Sequence, residues 1–193
     1  MTLAREATER ALALKRDLLL ANMALARLQL FDGRHEERRR TVETALEREP
    51  ANAQARAYLG ATLALAGDQR GVELVNEARN AVQPHPSIIN MAYAVDHLRH
   101  GRAEQALEWA QRVAAPEWFP AQMVIAASAG LCGKERVAAE ARARLLEIYP
   151  NFEAEALDIF RQWQHDAALD EALLAGLSRA GIEIVAPARR VTP

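Results

Sequence analysis

The side chains best placed to do chemistry lie in one segment, which contains Asp96, His97 and His100. Histidines three residues apart can share one face of a helix, and zinc accepts their ring nitrogens as ligands. Only two histidine ligands are local, however. We therefore predict no metal site, and a metal protein or enzyme using His97 and His100 is the least favoured function.

The sequence also lacks other signals of a catalytic site. Cys132 has no histidine nearby in sequence that could activate it, which favours a buried structural thiol over a nucleophile. The glycines recur singly and form no dense loop of the kind that cradles phosphates. The Arg38-Arg39-Arg40 run follows two glutamates, and such mixed charge is typical of a solvated helix face. We predict a protein that is not an enzyme and needs no cofactor.

Composition limits the class of protein further. The 193 residues include 41 alanines and 5% aromatics, with a formal net charge of −2. Alanine favours helices and allows them to pack closely, whereas the near-neutral charge argues against nucleic-acid binding by bulk electrostatics. No apolar run reaches the roughly 18 residues of a membrane span, and the N-terminus lacks the pattern of a secretory signal. With one cysteine and no possible internal disulfide, we expect a cytoplasmic protein.

A constant interval between turn residues organises the chain. Gly33, Gly67 and Gly101 are equally spaced, and Pro50 and Pro84 are separated by the same interval. Each glycine stands between two apolar helical stretches, and each proline follows the second stretch. Glycine tolerates the left-handed conformation that ends a helix, and proline cannot continue one. The pattern predicts a repeated unit of helix, glycine turn, helix and proline stop.

A helix-turn-helix unit of about 34 residues resembles the tetratricopeptide repeat family. The matching positions are Leu25, Ala26, Gly33, Val42, Ala45, Leu46 and Pro50 in the first unit; Leu59, Gly60, Gly67, Val72 and Pro84 in the second; Tyr93, Ala94, Gly101, Ala106 and Ala110 in the third; and Ile125, Ala126, Gly133, Ala138, Leu145 and Pro150 in the fourth. Three features depart from the family: the opening aromatic is missing in most units, Arg38 replaces a small alanine, and Pro116 comes two residues early.

The resemblance implies an all-α fold, a right-handed superhelical solenoid of these repeats. The expected organisation is a single solenoid over 1–183, with repeats at about 19–52, 53–86, 87–118 and 119–150, capping helices over 151–183 and a mobile tail over 184–193. Residues 1–17 resemble the second helix of a repeat. They are either half a repeat in a fragment of a longer protein or an ordinary N-terminal capping helix, and the sequence favours neither.

The C-terminal part carries a second resemblance. Residues matching the end of the tetratricopeptide regions of bacterial class III adenylate cyclases and winged-helix transcriptional regulators are Pro150, Asn151, Phe152, Gly176, Leu177, Ala180 and Gly181. This likeness implies a regulatory or sensory role in a bacterial signalling protein. We also expect Phe152, Phe160 and Trp163 to anchor the terminal helices on the fourth repeat, and Trp118, Phe119 and Pro120 to pack the shortened junction before it.

Family resemblance also implies a concave groove, lined by the first helix of each pair. The positions carried over are Met23, Arg27, Ala57, Ala61, Met91, Val95, Met123 and Ala127, with Arg99 flanking them. The three methionines share one repeat position. They either form a soft apolar groove for a partner or fill gaps in the core. The only lysines, Lys15 and Lys134, fall outside this groove, so a clamp for a C-terminal carboxylate is not expected.

These patterns together predict an interaction scaffold. We expect it to bind a peptide or helix in the groove, with neither nucleic acid nor membrane as a partner. Self-association through an uncovered face of the N-terminal half repeat is a further expectation. The alternative is a stand-alone adaptor or secretion-type chaperone that shields an apolar client segment. The identity of the partner, the parent protein, the signal and the oligomeric state do not follow from the sequence.

Overall fold

A computed structural model describes residues 2–163 and 166–184, and throughout this part of the chain the secondary structure is helical, with no strand. The eleven α-helices of the described residues, labelled in chain order, are α1 (Thr2–Leu14), α2 (Leu19–Phe31), α3 (His35–Arg48), α4 (Ala53–Ala64), α5 (Gln69–Ala78), α6 (Ser87–Arg99), α7 (Ala103–Gln111), α8 (Phe119–Leu131), α9 (Glu135–Ile148), α10 (Phe152–Trp163) and α11 (Ala167–Arg179). A short 3₁₀ helix, Arg79–Ala81, follows α5. The prediction of an all-α fold is confirmed. The predicted tail over 184–193 lies outside the described residues, apart from its first residue.

Four glycines make the turns between successive helices. Gly33, Gly67, Gly101 and Gly133 have φ angles of 69°, 85°, 71° and 67°, in the left-handed region that other residues adopt at a cost. They connect α2 to α3, α4 to α5, α6 to α7 and α8 to α9. The period in the sequence therefore identified the four turns correctly. The last turn comes two residues early because the junction at Pro116 is shorter.

The described residues divide into two compact units. One comprises 2–92 and 162–163, and the other comprises 93–161 and 166–184, so the boundary falls inside α6. In the first unit α2 packs against α1 and α3, and α4 packs against α2, α3 and α5. The core between these helices is formed by Met23, Ala26, Val42, Ala45, Ala55, Leu59, Leu63 and Leu74. Small and branched side chains dominate this core, as the composition indicated.

Two glycines bring α4 and α5 into close contact. A Cβ atom on Gly60 would lie 2.9 Å from the carbonyl oxygen of Gly71, and one on Gly71 would lie 2.3 Å from the backbone nitrogen of Ala64. Backbone atoms cannot move aside as a flexible side chain can. Asn52 and Asp68 cap these helices, since their side chains accept hydrogen bonds from the backbone N–H groups of Ala55 and Arg70.

In the second unit α8 is the central helix. It packs against α7, α9 and α11, and Ala121, Ala126, Ala127 and Ala129 on it are fully buried. The ring of Phe119 at its start lies 5.0 Å from that of Tyr149 and 6.4 Å from that of Phe152. These contacts agree with the prediction that Phe119 packs the junction and that Phe152 anchors α10 beside the fourth hairpin.

Trp163 behaves differently from the prediction made for it. Its ring lies 5.8 Å from that of Phe31 in an edge-on arrangement, within the first unit. The prediction placed Trp163 with Phe152 and Phe160 on the fourth repeat, but Trp163 belongs to the first unit, whereas Phe152 and Phe160 belong to the second. Among the described helices, none has the length and apolar character required to cross a membrane.

Candidate functional site

The three methionines expected to line a groove are buried. Met23, Met91 and Met123 are 9%, 0% and 2% exposed. Met23 belongs to the core cluster of the first unit, where it packs with Val42 and Leu59. In this conformation the methionines fill the core, which is the second of the two interpretations that the sequence left open, and they present no open surface to a partner.

The other apolar positions assigned to the groove are buried as well. Ala57, Ala61, Val95 and Ala127 are each at most 5% exposed. Ala57 and Ala61 flank Gly60 on α4, where the small side chains leave room for tightly packed neighbours. These side chains pack inside the protein. Their burial does not support the predicted contact with a partner.

Arg27 lies close to the aromatic ring of Phe31. Its guanidinium carbon is 5.9 Å from the centre of the Phe31 ring, which in turn contacts Trp163. A cation over an aromatic face is attracted by the electron density of the ring. The half-buried Arg27 is thus engaged by the protein itself.

Arg99, the second arginine assigned to the groove, is held by the last helix. Its side chain is 7% exposed, and its Nε atom lies 2.8 Å from Oδ2 of Asp166. Asp166 is also the N-cap of α11, because its Oδ1 atom accepts a hydrogen bond of 2.9 Å from the backbone N–H of Leu169. This ion pair fixes the start of α11 against the end of α6.

Helix α11 occupies the face of α8 that carries Ala127. A Cβ atom on Gly176 would lie 2.3 Å from the carbonyl oxygen of Ala127, and one on Gly130 would lie 2.3 Å from the carbonyl oxygen of Gly176. The two backbones meet through these glycines, and α11 buries Leu169, Leu173 and Leu177. The position expected to receive a partner on the fourth hairpin is therefore filled by a helix of the same chain.

The histidine segment forms a local hydrogen-bond network around the third turn. Arg102 donates from Nε to Nδ1 of His97 over 2.7 Å and lies 3.0 Å from Oδ2 of Asp96, while Nδ1 of His100 donates to the carbonyl oxygen of Asp96 over 2.8 Å. Burial, and then the charge of Arg102, lower the pKa of His97. No group of three or more metal-ligating side chains occurs within residues 2–163 and 166–184. These hydrogen bonds link His97 and His100 to residues around this turn.

Arg38 is buried, so the prediction made for it was wrong. Instead of lying on a solvated face with its neighbours, it is 2% exposed, and its Nη1 atom donates to Nδ1 of His35 over 3.1 Å. Within the described residues its Nε atom is buried with no hydrogen-bond partner, as is Oε1 of Gln29. Burial lowers the pKa of Arg38 to about 10, against a smaller opposing effect of Asp68. The sequence contained a signal, since Arg38 stands where the repeat family that the sequence resembles usually has alanine.

Cys132 lies at the end of α8 and is half-buried. Burial raises the pKa of its thiol, with a smaller opposing effect from the charge of Lys134. A raised pKa keeps the thiol protonated, and only the thiolate is a good nucleophile. The side chain has the environment of a structural thiol rather than a reactive one.

The large exposed apolar side chains of the described residues all lie near the N-terminus. They are Leu3, Leu14, Leu18 and Leu20, at 82%, 90%, 36% and 71% exposure. Leu3 and Leu14 are eleven residues apart, about three helical turns, so they lie on the same side of α1. Such a group of exposed leucines on α1 and the start of α2 is typical of an interaction surface.

Comparison with known proteins assigns no family to this chain: no family model, curated protein or solved structure matches it.

Proposed function

We propose that the chain is a non-catalytic scaffold for protein-protein interaction, built as a right-handed superhelical solenoid of tetratricopeptide hairpins with α10 and α11 as its capping pair. The four turn glycines, evenly spaced except for the slightly shorter last interval, support the repeat. A recurring ion pair supports it too. Arg5 and Arg39 stand one repeat apart, and each pairs with an acid beside the next turn glycine, Asp32 at 2.7 Å and Asp68 at 2.9 Å.

The packing of α11 on α8 is the observation that carries this proposal. An amphipathic helix is held on the first helix of a hairpin by close backbone contact at Gly130 and Gly176, and the ion pair of Asp166 with Arg99 ties its start to the end of α6. Helix-in-groove binding uses the same arrangement: the apolar face of an amphipathic helix lies against an apolar surface of the receiving protein. We expect the partner to be a peptide or helix of this kind.

The C-terminal resemblance supports a regulatory or sensory role, within a bacterial signalling or transcription-regulating protein and in the cytoplasm. The alternative, an adaptor or secretion-type chaperone, would shield an apolar client segment. The reading frame upstream of residue 1 separates the two, because a cyclase or winged-helix domain encoded there supports the regulatory role.

The proposal is tested by selecting peptides from a random display library on the purified chain. We expect enriched sequences with leucines at helical spacing. Adding such a peptide should slow amide hydrogen exchange in the helices of the chain that contact it. The proposal fails if no peptide is enriched over a control protein, or if the enriched peptides slow no exchange.

Self-association is a second candidate, favoured by the exposed leucines of α1 and α2. A second copy of the chain would remove this apolar surface from water, at about 25 cal/mol per Å² buried. Sedimentation velocity over a wide concentration range should show a dimer that the paired substitutions Leu14→Glu and Leu20→Glu abolish. The matched control places two glutamates at exposed alanines elsewhere, Ala139→Glu and Ala175→Glu, and should keep the dimer. A strict monomer at high concentration overturns this candidate.

A further inference from the structure

A groove over α2 in the first unit carries arginines that form no ion pair with the described residues. It has a volume of about 580 Å³ and is lined by residues of α1, of α2, of α3 and of the turn after α1: Glu9, Leu12, Ala13, Arg16, Asn22, Leu25, Arg40, Thr41, Thr44 and Arg48. We call this the α2 groove. Its apolar residues, Leu12, Ala13 and Leu25, come from α1 and α2, and arginines stand on two sides.

Arg16, Arg40 and Arg48 are all exposed, and none makes an ion pair with any residue that the structure describes. By contrast, Arg5 on α1 and Arg39 on α3 each pair with an acid. Glu9 is the single carboxylate among the lining residues. An anionic ligand would therefore meet guanidinium groups that are free to form charge-assisted hydrogen bonds.

The next hairpin provides an internal comparison. A groove of the same volume, about 580 Å³, lies over α4 and is lined by residues that include Arg39, Leu46, Asp68, Arg70 and Leu74. Leu46 lies one repeat after Leu12, and Leu74 lies one repeat after Arg40. In this second groove Arg39 pairs with Asp68 and Arg70 pairs with Glu73. The repeat position that Arg40 occupies over α2 is thus apolar over α4, where Leu74 stands.

We propose that the α2 groove binds a short acidic peptide segment that also carries apolar side chains. Arg40 and Arg48 are eight residues apart on α3, about 12 Å along the helix axis. In an extended peptide, acidic residues four positions apart span about the same length. An apolar side chain between them would rest on Leu12 and Leu25. The groove lining includes no aromatic residue on which a base could stack, which favours a peptide over a nucleic acid.

The test uses the full chain and a fluorescein-labelled peptide of about nine residues, with glutamates four positions apart and leucines between them. The same peptide with glutamine for each glutamate, and an oligothymidylate of equal charge, serve as competing probes. We expect the acidic peptide to bind at physiological salt and the glutamine peptide to bind about tenfold more weakly or not at all.

Two triple variants then locate the site. Arg16→Gln, Arg40→Gln and Arg48→Gln together should weaken acidic-peptide binding by about tenfold or more, since exposed arginines can be replaced without disturbing the core. Arg70→Gln, Arg136→Gln and Arg161→Gln remove the same charge outside the α2 groove and should change binding less than about twofold. Circular dichroism checks that both variants are folded.

Equal losses in the two triple variants would attribute binding to net charge and overturn the proposal. Absence of binding, equal binding of the glutamine peptide, or tighter binding of the oligothymidylate would overturn it as well. The result is independent of the scaffold function proposed above, because peptides selected for helical apolar contacts should bind the first triple variant normally.

Discussion

The Nε atom of Arg99 lies 2.8 Å from Oδ2 of Asp166, and the other oxygen of the same carboxylate caps the first turn of α11. One side chain therefore both starts the last helix and ties it to the end of α6. Arg99 is nearly buried at 7% exposure, so its charge interacts with Asp166 in a medium less polar than bulk water. This relationship explains why an arginine assigned to partner binding is found inside the protein.

Substitutions of Asp166 separate its two roles. Asp166→Asn keeps an oxygen for the cap and loses the charge, and we expect a cost of about 1 to 3 kcal/mol. Asp166→Ala removes the cap as well and should cost about 1 kcal/mol more. Urea denaturation gives the free energies, and hydrogen exchange should be fastest in the amides of α11. Equal urea midpoints for wild type and both variants would show that neither contact matters to stability.

Acid should destabilise the protein through His35. The Nδ1 atom of His35 accepts a hydrogen bond from Arg38, which requires that this nitrogen carry no proton. Burial, and then the charge of Arg38, lower the pKa of His35 below its ordinary value. As pH falls below about 6.5, the unfolded chain binds a proton that the folded chain resists, so the free energy of unfolding decreases until the folded pKa is reached.

This dependence can be measured from urea midpoints at a series of pH values between 8 and 5. His35→Gln should make the urea midpoint depend less on pH, because glutamine does not titrate. The part of the pH dependence that is due to His97 should remain. A slope identical in wild type and His35→Gln would exclude His35 as its source. Proton NMR titration of the His35 ring provides an independent value for the folded pKa.

Two glycines should respond differently to alanine. In Gly176→Ala the new Cβ would lie 2.3 Å from the backbone oxygen of Ala127, so α11 must move away from α8, at a cost of about 3 kcal/mol. In Gly101→Ala nothing lies within 4 Å, and only the left-handed backbone, at φ 71°, is unfavourable, at about 1 to 2 kcal/mol. Chemical denaturation compares the two. A larger loss for Gly101→Ala would contradict the close approach of α8 and α11.

Local signals in the sequence predicted the helices and turns well, because a left-handed turn glycine or a proline stop acts on its immediate neighbours. The positions of Gly33, Gly67, Gly101 and Gly133 were sufficient to divide most of the chain into helical pairs. The class of fold followed from the same signals together with the alanine content.

Contacts between distant segments were beyond these signals. Nothing near Ala127 in sequence indicates that Gly176, three helices further along the chain, packs on it. The arginines of the α2 groove, which form no ion pair with the described residues, were missed for a related reason. Arg16, after α1, and Arg40 and Arg48, on α3, come together only when α1 and α3 pack beside α2. Arg38 is the exception, since an arginine at a position that usually holds alanine could have indicated a buried polar group.

Met91 offers the clearest test of what the shared methionine position does. Its side chain is fully buried, so we expect Met91→Ala to cost about 2 to 5 kcal/mol and Met91→Leu, which keeps the volume, less than about 1.5 kcal/mol. Met91→Glu should be worse than alanine, because it places a carboxylate among apolar neighbours. Helicity and urea midpoints measure all three. A groove exposed to a partner predicts the opposite, a Met91→Glu variant with wild-type stability, and that result would restore the binding role of this position.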